Sequence, residues 1–160
     1  MNNYFEPPMN ISNRSIDKQF VFLAGTIEQG NSIDWQLQAK DFFLCKGWGV
    51  FNPRRKDWNA KLEQKFENPA MFQQVNWELD ALEKADFILF NFLPETDSII
   101  TMLELGRFSH YNKISVVCPE GYARKANVDI FCNRYNIPLY DSMQIFKSFF
   151  DMRSDFKVFR

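Results

Sequence analysis

Short runs of consecutive apolar residues alternate along this chain with segments in which apolar residues recur every three or four positions. The runs fall at residues 19–24, 48–52, 85–91 and 113–118, with a shorter one near 138–140. Each is too short for a helix and apolar on successive positions, the pattern of a strand buried on both faces. After the first run a helix is predicted from Ser32 as N-cap, with Ile33, Leu37 and Leu44 along one side, until Lys46-Gly47 stops it. Pro53 breaks the second strand, and the mostly charged stretch 60–69 reads as a loop or irregular helix. Beyond Pro69 the spacing of Phe72, Val75, Leu79 and Leu82 predicts an amphipathic helix to about Lys84. Three more helices are expected: one ending near His110, one over about 126–135, and one over 142–152. This alternation argues for a parallel sheet covered by helices on both faces, with right-handed crossovers.

Residues 1–18 contain several Asn and the pair Pro7-Pro8 but no hydrophobic period, so they read as an N-terminal arm, either mobile or strapped on the surface. Residues 19–160 are of a length for one domain. In open parallel sheets ligands bind outside the carboxyl ends of the strands, where strand order reverses. Four polar stretches follow strands here: Gly25-Thr26, Asn52-Pro-Arg-Arg55, the loop 94–98, and Pro119-Glu-Gly-Tyr-Ala-Arg124.

Composition narrows the function classes. Apolar residues make up 46% and charged residues 24% of the chain, a globular balance, and nineteen basic against twenty acidic residues leave a net charge of −1. No global field draws in a nucleic acid polymer or an anionic membrane, so any anion site is local. No apolar run approaches the roughly 20 residues of a membrane span. Three cysteines without a CxxC fit a reduced, cytoplasmic protein. A single histidine, His110, offers a metal few ligands, and neither a GxGxxG nor a Walker spacing is present, so no metal or cofactor is expected.

The most telling residue is Glu104, a carboxylate in the otherwise apolar run that begins at Ile99. Burying a charge is costly unless it is paired or used. With a helix starting between Asp97 and Thr101, Glu104 lies in its first turn or two, where the helix dipole favours an ionised side chain. The competing reading is a capping box, Thr101-x-x-Glu104, in which the carboxylate bonds the Thr101 N–H. Glu78 borders the buried face of its own helix and could hold a sugar hydroxyl, share a proton with Glu104, or simply be a solvated flank. Asp97 is a ligand-facing carboxylate at a strand end or an ordinary N-cap. Arg54, Arg55 and Arg124 could grip a phosphate or carboxylate, or form loop salt bridges. Gly25 and Thr26 suggest close backbone approach to a ligand. Trp35, Trp58, Trp77 and Tyr122 could stack on a base or pack in the core.

Taken in order, Val21-Phe-Leu-Ala-Gly-Thr-Ile-Glu28, Asp34-Trp35, Asn52-Pro-Arg-Arg-Lys-Asp-Trp58, Gln74-Val-Asn-Trp-Glu78, Leu103-Glu-Leu-Gly106 and Val117-Cys-Pro-Glu-Gly-Tyr-Ala-Arg-Lys-Ala-Asn-Val128 resemble the nucleoside 2-deoxyribosyltransferase-like family. The resemblance covers roughly residues 19–140. It implies a flavodoxin-like (Rossmann-like) α/β fold, a five-stranded parallel sheet in the order 2-1-3-4-5. It also implies cleavage of the N-glycosidic bond of a 2′-deoxynucleoside or its 5′-monophosphate, with the sugar passed to another nucleobase. The family's nucleophile falls on Glu104, its sugar-binding acid in the region of Glu78, and Asp97 becomes a candidate to assist the leaving base. Gly25, Thr26, Asn52, Arg54, Arg55, Trp77, Tyr122, Arg124 and Asn127 become candidate substrate-binding residues. A homo-oligomer is implied, its site completed by a neighbour's C-terminal residues, here 155–160. Transfer to water and a catalytically silent nucleotide sensor are the alternatives.

Overall fold

The computed structural model describes residues 2–27, 32–57, 59 and 61–152. Within it, β1 (Tyr4–Phe5), β2 (Phe20–Gly25), β3 (Gly49–Phe51), β4 (Phe87–Asn91), β5 (Ile114–Val117) and β6 (Leu139–Tyr140) form one sheet in the order β1-β3-β2-β4-β5-β6, every neighbouring pair parallel. Helices α1 (Trp35–Cys45), α2 (Pro69–Lys84), α3 (Ile99–Phe108), α4 (Lys125–Arg134) and α5 (Met143–Met152) connect or follow the strands. The sheet has six strands where five were expected, and its order differs accordingly. The sixth is β1, contributed by the N-terminal arm, which adds in parallel to the outside of β3. The other five keep the neighbours of a flavodoxin-like winding, so the class stands.

Successive side chains of a strand point to opposite faces, and the apolar runs supply a core to both. From β2, Phe20, Phe22 and Ala24 enter one cluster with Trp77, Ala81 and Leu82 of α2, Leu105 and Phe108 of α3, and Val128 and Cys132 of α4. Val21 and Leu23 enter the other with Trp35, Ala39 and Phe43 of α1 and Phe146 and Phe150 of α5. The second cluster is an aromatic contact set in which Phe43 meets the rings of Trp48, Phe87, Phe146 and Phe150. The arm is anchored in the same way, with Phe5, Pro7 and Ile11 buried and the Trp77 indole N–H donating to the Met9 carbonyl at 2.8 Å.

Two helix faces differ from the expected ones. Helix α1 is capped by Asp34, whose carboxylate accepts from the Leu37 N–H, and not by Ser32. Ile33 and Leu37 are exposed, while Trp35, Gln36, Ala39 and Phe43 face the sheet. Helix α2 begins at Pro69 behind the N-cap Asn68 and buries Gln74, Trp77, Ala81 and Leu82, leaving Phe72, Val75 and Leu79 outside. In both cases a tryptophan, with the largest apolar surface to remove from water, sets the rotation of the helix. Among the described residues no helix is long and apolar enough to cross a membrane.

Gly25 ends β2 where strands and helix are closest. A β-carbon there would run into the Asn91 carbonyl on β4 and the ring of Trp35. Packing against Asn91 and Trp35 is by itself sufficient to demand a glycine here. Gly25→Ala is expected to cost about 1–3 kcal/mol of stability through overpacking; urea unfolding midpoints equal to those of the parent chain would contradict it.

Candidate active site

Helix α1 crosses from β2 to β3 on one face and α2 from β3 to β4 on the other, so the winding reverses between β2 and β4. The loops after these two strands meet there on Thr26, which is 1% exposed. Its N–H donates to the Asn91 carbonyl, and its Oγ1 accepts from the Leu93 N–H and hydrogen-bonds the hydroxyls of Thr96 and Ser98. Its carbonyl accepts from the Trp35 indole and the Gln36 amide. Thr26 is thus fully occupied in holding the floor of the cleft together.

Both helices that flank this cleft from the α2–α3 face carry a carboxyl. Helix α3 starts after Ser98, which takes a left-handed conformation (φ 47°) and makes no side-chain cap bond. Thr101 is therefore inside the helix, and the Thr101-x-x-Glu104 capping box does not form. Glu104 lies in the second turn, beyond the reach of the dipole at the first. Burial and the charge of Glu78 push the Glu104 carboxyl up to about 8, and burial pushes Glu78 up to about 7 against an opposing hydrogen bond from Gln74. The expected ready-ionised Glu104 is corrected accordingly. Desolvation and like charge outweigh the helix terminus. Both residues are half-buried, so neither carboxyl is sealed into the core.

The remaining candidates divide by what already holds them. Asp97 is exposed at the mouth of the cleft, and its carbonyl accepts from the Tyr122 hydroxyl at 2.9 Å. Tyr122 packs at a tilt against Phe92, and Trp77 meets Phe51 edge to face, so both rings belong to the core. Asn52 donates to the Tyr4 hydroxyl and accepts from the Arg54 N–H. Arg54 is committed to the start of α1 through the carbonyls of Ser32 and Ile33, the Ser32 hydroxyl, Gln36 and Asp34. Arg55 pairs with Asp57 through two hydrogen bonds of 3.0 and 2.9 Å. Arg124 and Asn127 are exposed at the start of α4. Trp58, Glu28–Gly30 of the first loop, and the tail 155–160 lie outside the described residues.

Two features escaped the sequence reading. The arm brings Tyr4 and Glu6 to the strand ends, their side chains hydrogen-bonded at 2.8 Å, beside Asn52. Gln74 lies under Glu78, its amide nitrogen donating to the Pro53 carbonyl at 3.0 Å and to Glu78 Oε1 at 2.8 Å. The i, i+4 spacing of Gln74 and Glu78 was the available signal for the second; no local pattern announces a parallel pairing between β1 and β3. Among the described residues no group of three or more His, Cys, Asp or Glu is placed to hold a metal ion. What the cleft offers is a carboxyl pair able to present one negative charge, one proton, or two charges as pH rises.

The family model described as nucleoside 2-deoxyribosyltransferase like matches residues 18–122, more than half of the chain. No curated protein matches it.

Because both carboxyls titrate above their ordinary value of 4.5 in the fold, the folded state holds their protons more tightly than the unfolded chain. Their contribution to stability is complete below about pH 4.5 and is lost as pH rises through 7 to 8. Glu104→Gln removes one of these groups. Relative to the parent chain, it should gain on the order of 1–3 kcal/mol more at pH 8.5 than at pH 5. Thermal unfolding at the two pH values measures this, and a pH-independent difference would speak against the buried pair.

Proposed function

The chain belongs to the nucleoside 2-deoxyribosyltransferase-like family, and we propose that it cleaves the N-glycosidic bond of a 2′-deoxynucleoside through Glu104, passing the sugar to another nucleobase. One observation carries the reading: α2 and α3, which flank the point where the winding reverses, carry Glu78 and Glu104 as half-buried carboxyls whose pKa values are pushed up, chiefly by burial. In this reading the Glu104 carboxylate attacks C1′ from the face opposite the base. The C1′–N bond breaks with its electron pair going to the base, and a deoxyribosyl ester forms. A second base attacks C1′ from the vacated face and releases Glu104. Covalent capture divides one high barrier into two lower ones, as in retaining glycosidases. Glu78 would hold a sugar hydroxyl, and Asp97, or water at the open mouth, would supply the hydrogen bond or proton the departing base needs.

The commitment of Arg54 to the start of α1 and of Arg55 to Asp57 favours a nucleoside over its 5′-monophosphate, and leaves Arg124, exposed at the start of α4, as the candidate to grip a phosphate. Hydrolysis is the same chemistry with water as acceptor, and a silent sensor would keep the pocket without turnover. Incubation with each 2′-deoxynucleoside, with and without a free acceptor base, separates the three by chromatography. New nucleoside only with acceptor is the expected result. Glu104→Ala should fall to the uncatalysed background, and rate at limiting substrate should rise with pH towards 8 as Glu104 ionises. Turnover undiminished in Glu104→Ala would remove the mechanism.

The outer faces of the same helices support the homo-oligomer. Val75 and Leu79 on α2, and Ile99, Ile100 and Leu103 on α3, are exposed apolar side chains flanking the two carboxyls. Exposed apolar side chains concentrated on the outer faces of two helices are what a protein interface would cover. Sedimentation should find the parent chain associated and Ile100→Glu dissociated; a parent chain that sediments as a monomer at all concentrations would reject a homo-oligomer.

A further inference from the structure

The Gln74 side chain is used in one direction only. Its residue is 6% exposed, both protons of its amide nitrogen are taken, one by the Pro53 carbonyl and one by Glu78 Oε1, and its amide oxygen is buried with no partner. An orphaned buried acceptor costs about 1–3 kcal/mol. Turning the amide over is opposed by the Pro53 carbonyl, which the oxygen would then face across the same 3.0 Å. The donor end is locked toward Glu78, at the expense of the acceptor end.

A donor of this kind selects the protonation state of its partner. It bonds a carboxylate oxygen more strongly than the carbonyl oxygen of a neutral carboxyl, and cannot accept from its O–H, so it favours charge on Glu78. The groups acting on the two carboxyls from the packed elements are few: Gln74 from α2 itself and Glu104 from α3 for Glu78, and Glu78 for Glu104, with no cation among the described residues. Gln74 contacts only one member of the pair. We propose that Gln74 is a positioning residue that assigns the first ionisation of the pair to Glu78, leaving the remaining proton on Glu104 until the second.

This rests on the proposed function for its consequence but not for its test. In the resting cleft Glu78 is a charged acceptor, ready for a sugar hydroxyl, and Glu104 is held neutral beside it. Its conversion to a nucleophile then follows the second ionisation of the pair. Two like charges in one desolvated cleft are thereby avoided until higher pH or a ligand's own donor offsets them.

Gln74→Met keeps the length and removes the donor. Carbon-13 titration of the glutamate side-chain carboxyls, assigned through Glu78→Gln and Glu104→Gln, should show Glu78 losing its proton before Glu104 in the parent chain. In Gln74→Met the Glu78 midpoint should rise by about one pH unit, a tenfold change in proton affinity, and the Glu104 midpoint should fall as the charge beside it is removed. The acid limb of the rate profile should move to lower pH, whereas loss of a purely structural support would lower the rate at every pH without moving the limb. Midpoints unchanged in a folded Gln74→Met would overturn the assignment. If that variant does not fold, Gln74→Glu serves, since an acceptor at the same position should raise the Glu78 midpoint further; an unchanged or lowered midpoint would overturn it equally. The titration reads the pair without turnover, so an inactive enzyme with the expected order would reject the transferase reading and leave this one standing.

Discussion

Two carboxyl groups packed into one cleft, with no cation among the described residues acting on either, are the constraint around which the site is built. Like charges in a poorly solvated space oppose each other and their own ionisation, so the pair would separate or open to water unless its helices were held. They are held by the apolar cluster between the sheet and α2, α3 and α4, where Trp77, Ala81, Leu82, Leu105 and Phe108 are buried. Lys113 adds a polar fastening at the far end of α2, donating to the carbonyls of Leu82, Glu83 and Ala85. The cleft can be electrostatically unfavourable because its walls are fixed by apolar packing elsewhere.

The same logic explains why so many polar residues at the strand ends face away from the cleft. A ligand site at the carboxyl edge of a parallel sheet is made of loops, and loops carry unpaired backbone groups. Thr26 gathers the loops after β2 and β4. Arg54 ties the loop after β3 to the start of α1, and Asn52 ties it to the arm. These residues have motif-like positions because the fold needs them to assemble the edge.

The arm changes the picture of the edge strand. With β1 alongside, β3 is paired on both sides, and the arm carries Tyr4 and Glu6 to the strand ends. Burial, and after it the hydrogen bond to Glu6, push the Tyr4 hydroxyl up to about 12, so it keeps its proton at any working pH. The short β1 also covers an edge that would otherwise be open to pairing with another chain.

Strands β2 to β5 and the alternation of strands with helices were legible in the sequence, because short apolar runs bounded by turn residues suit strands buried on both faces; the order of the sheet came with the family resemblance, and β1 was not legible. Glu104 was legible as an anomaly for the same reason, a carboxylate where the pattern asks for an apolar side chain. The rotation of α1 and α2 was not. Ile33, Leu37, Phe72, Val75 and Leu79 have helical spacing, yet Trp35 and Trp77 bury the opposite positions, and only the depth available against the sheet decides between two apolar stripes. Nor was the state of Glu104 legible. Position near a helix start argued for an ionised carboxylate, while the proton affinity of the side chain depends on Glu78 arriving from another helix and on water being excluded between them. Sequence fixes which groups a chain possesses and their local tendencies; the distances between groups far apart in the chain, and hence their charges, are properties of the tertiary structure alone.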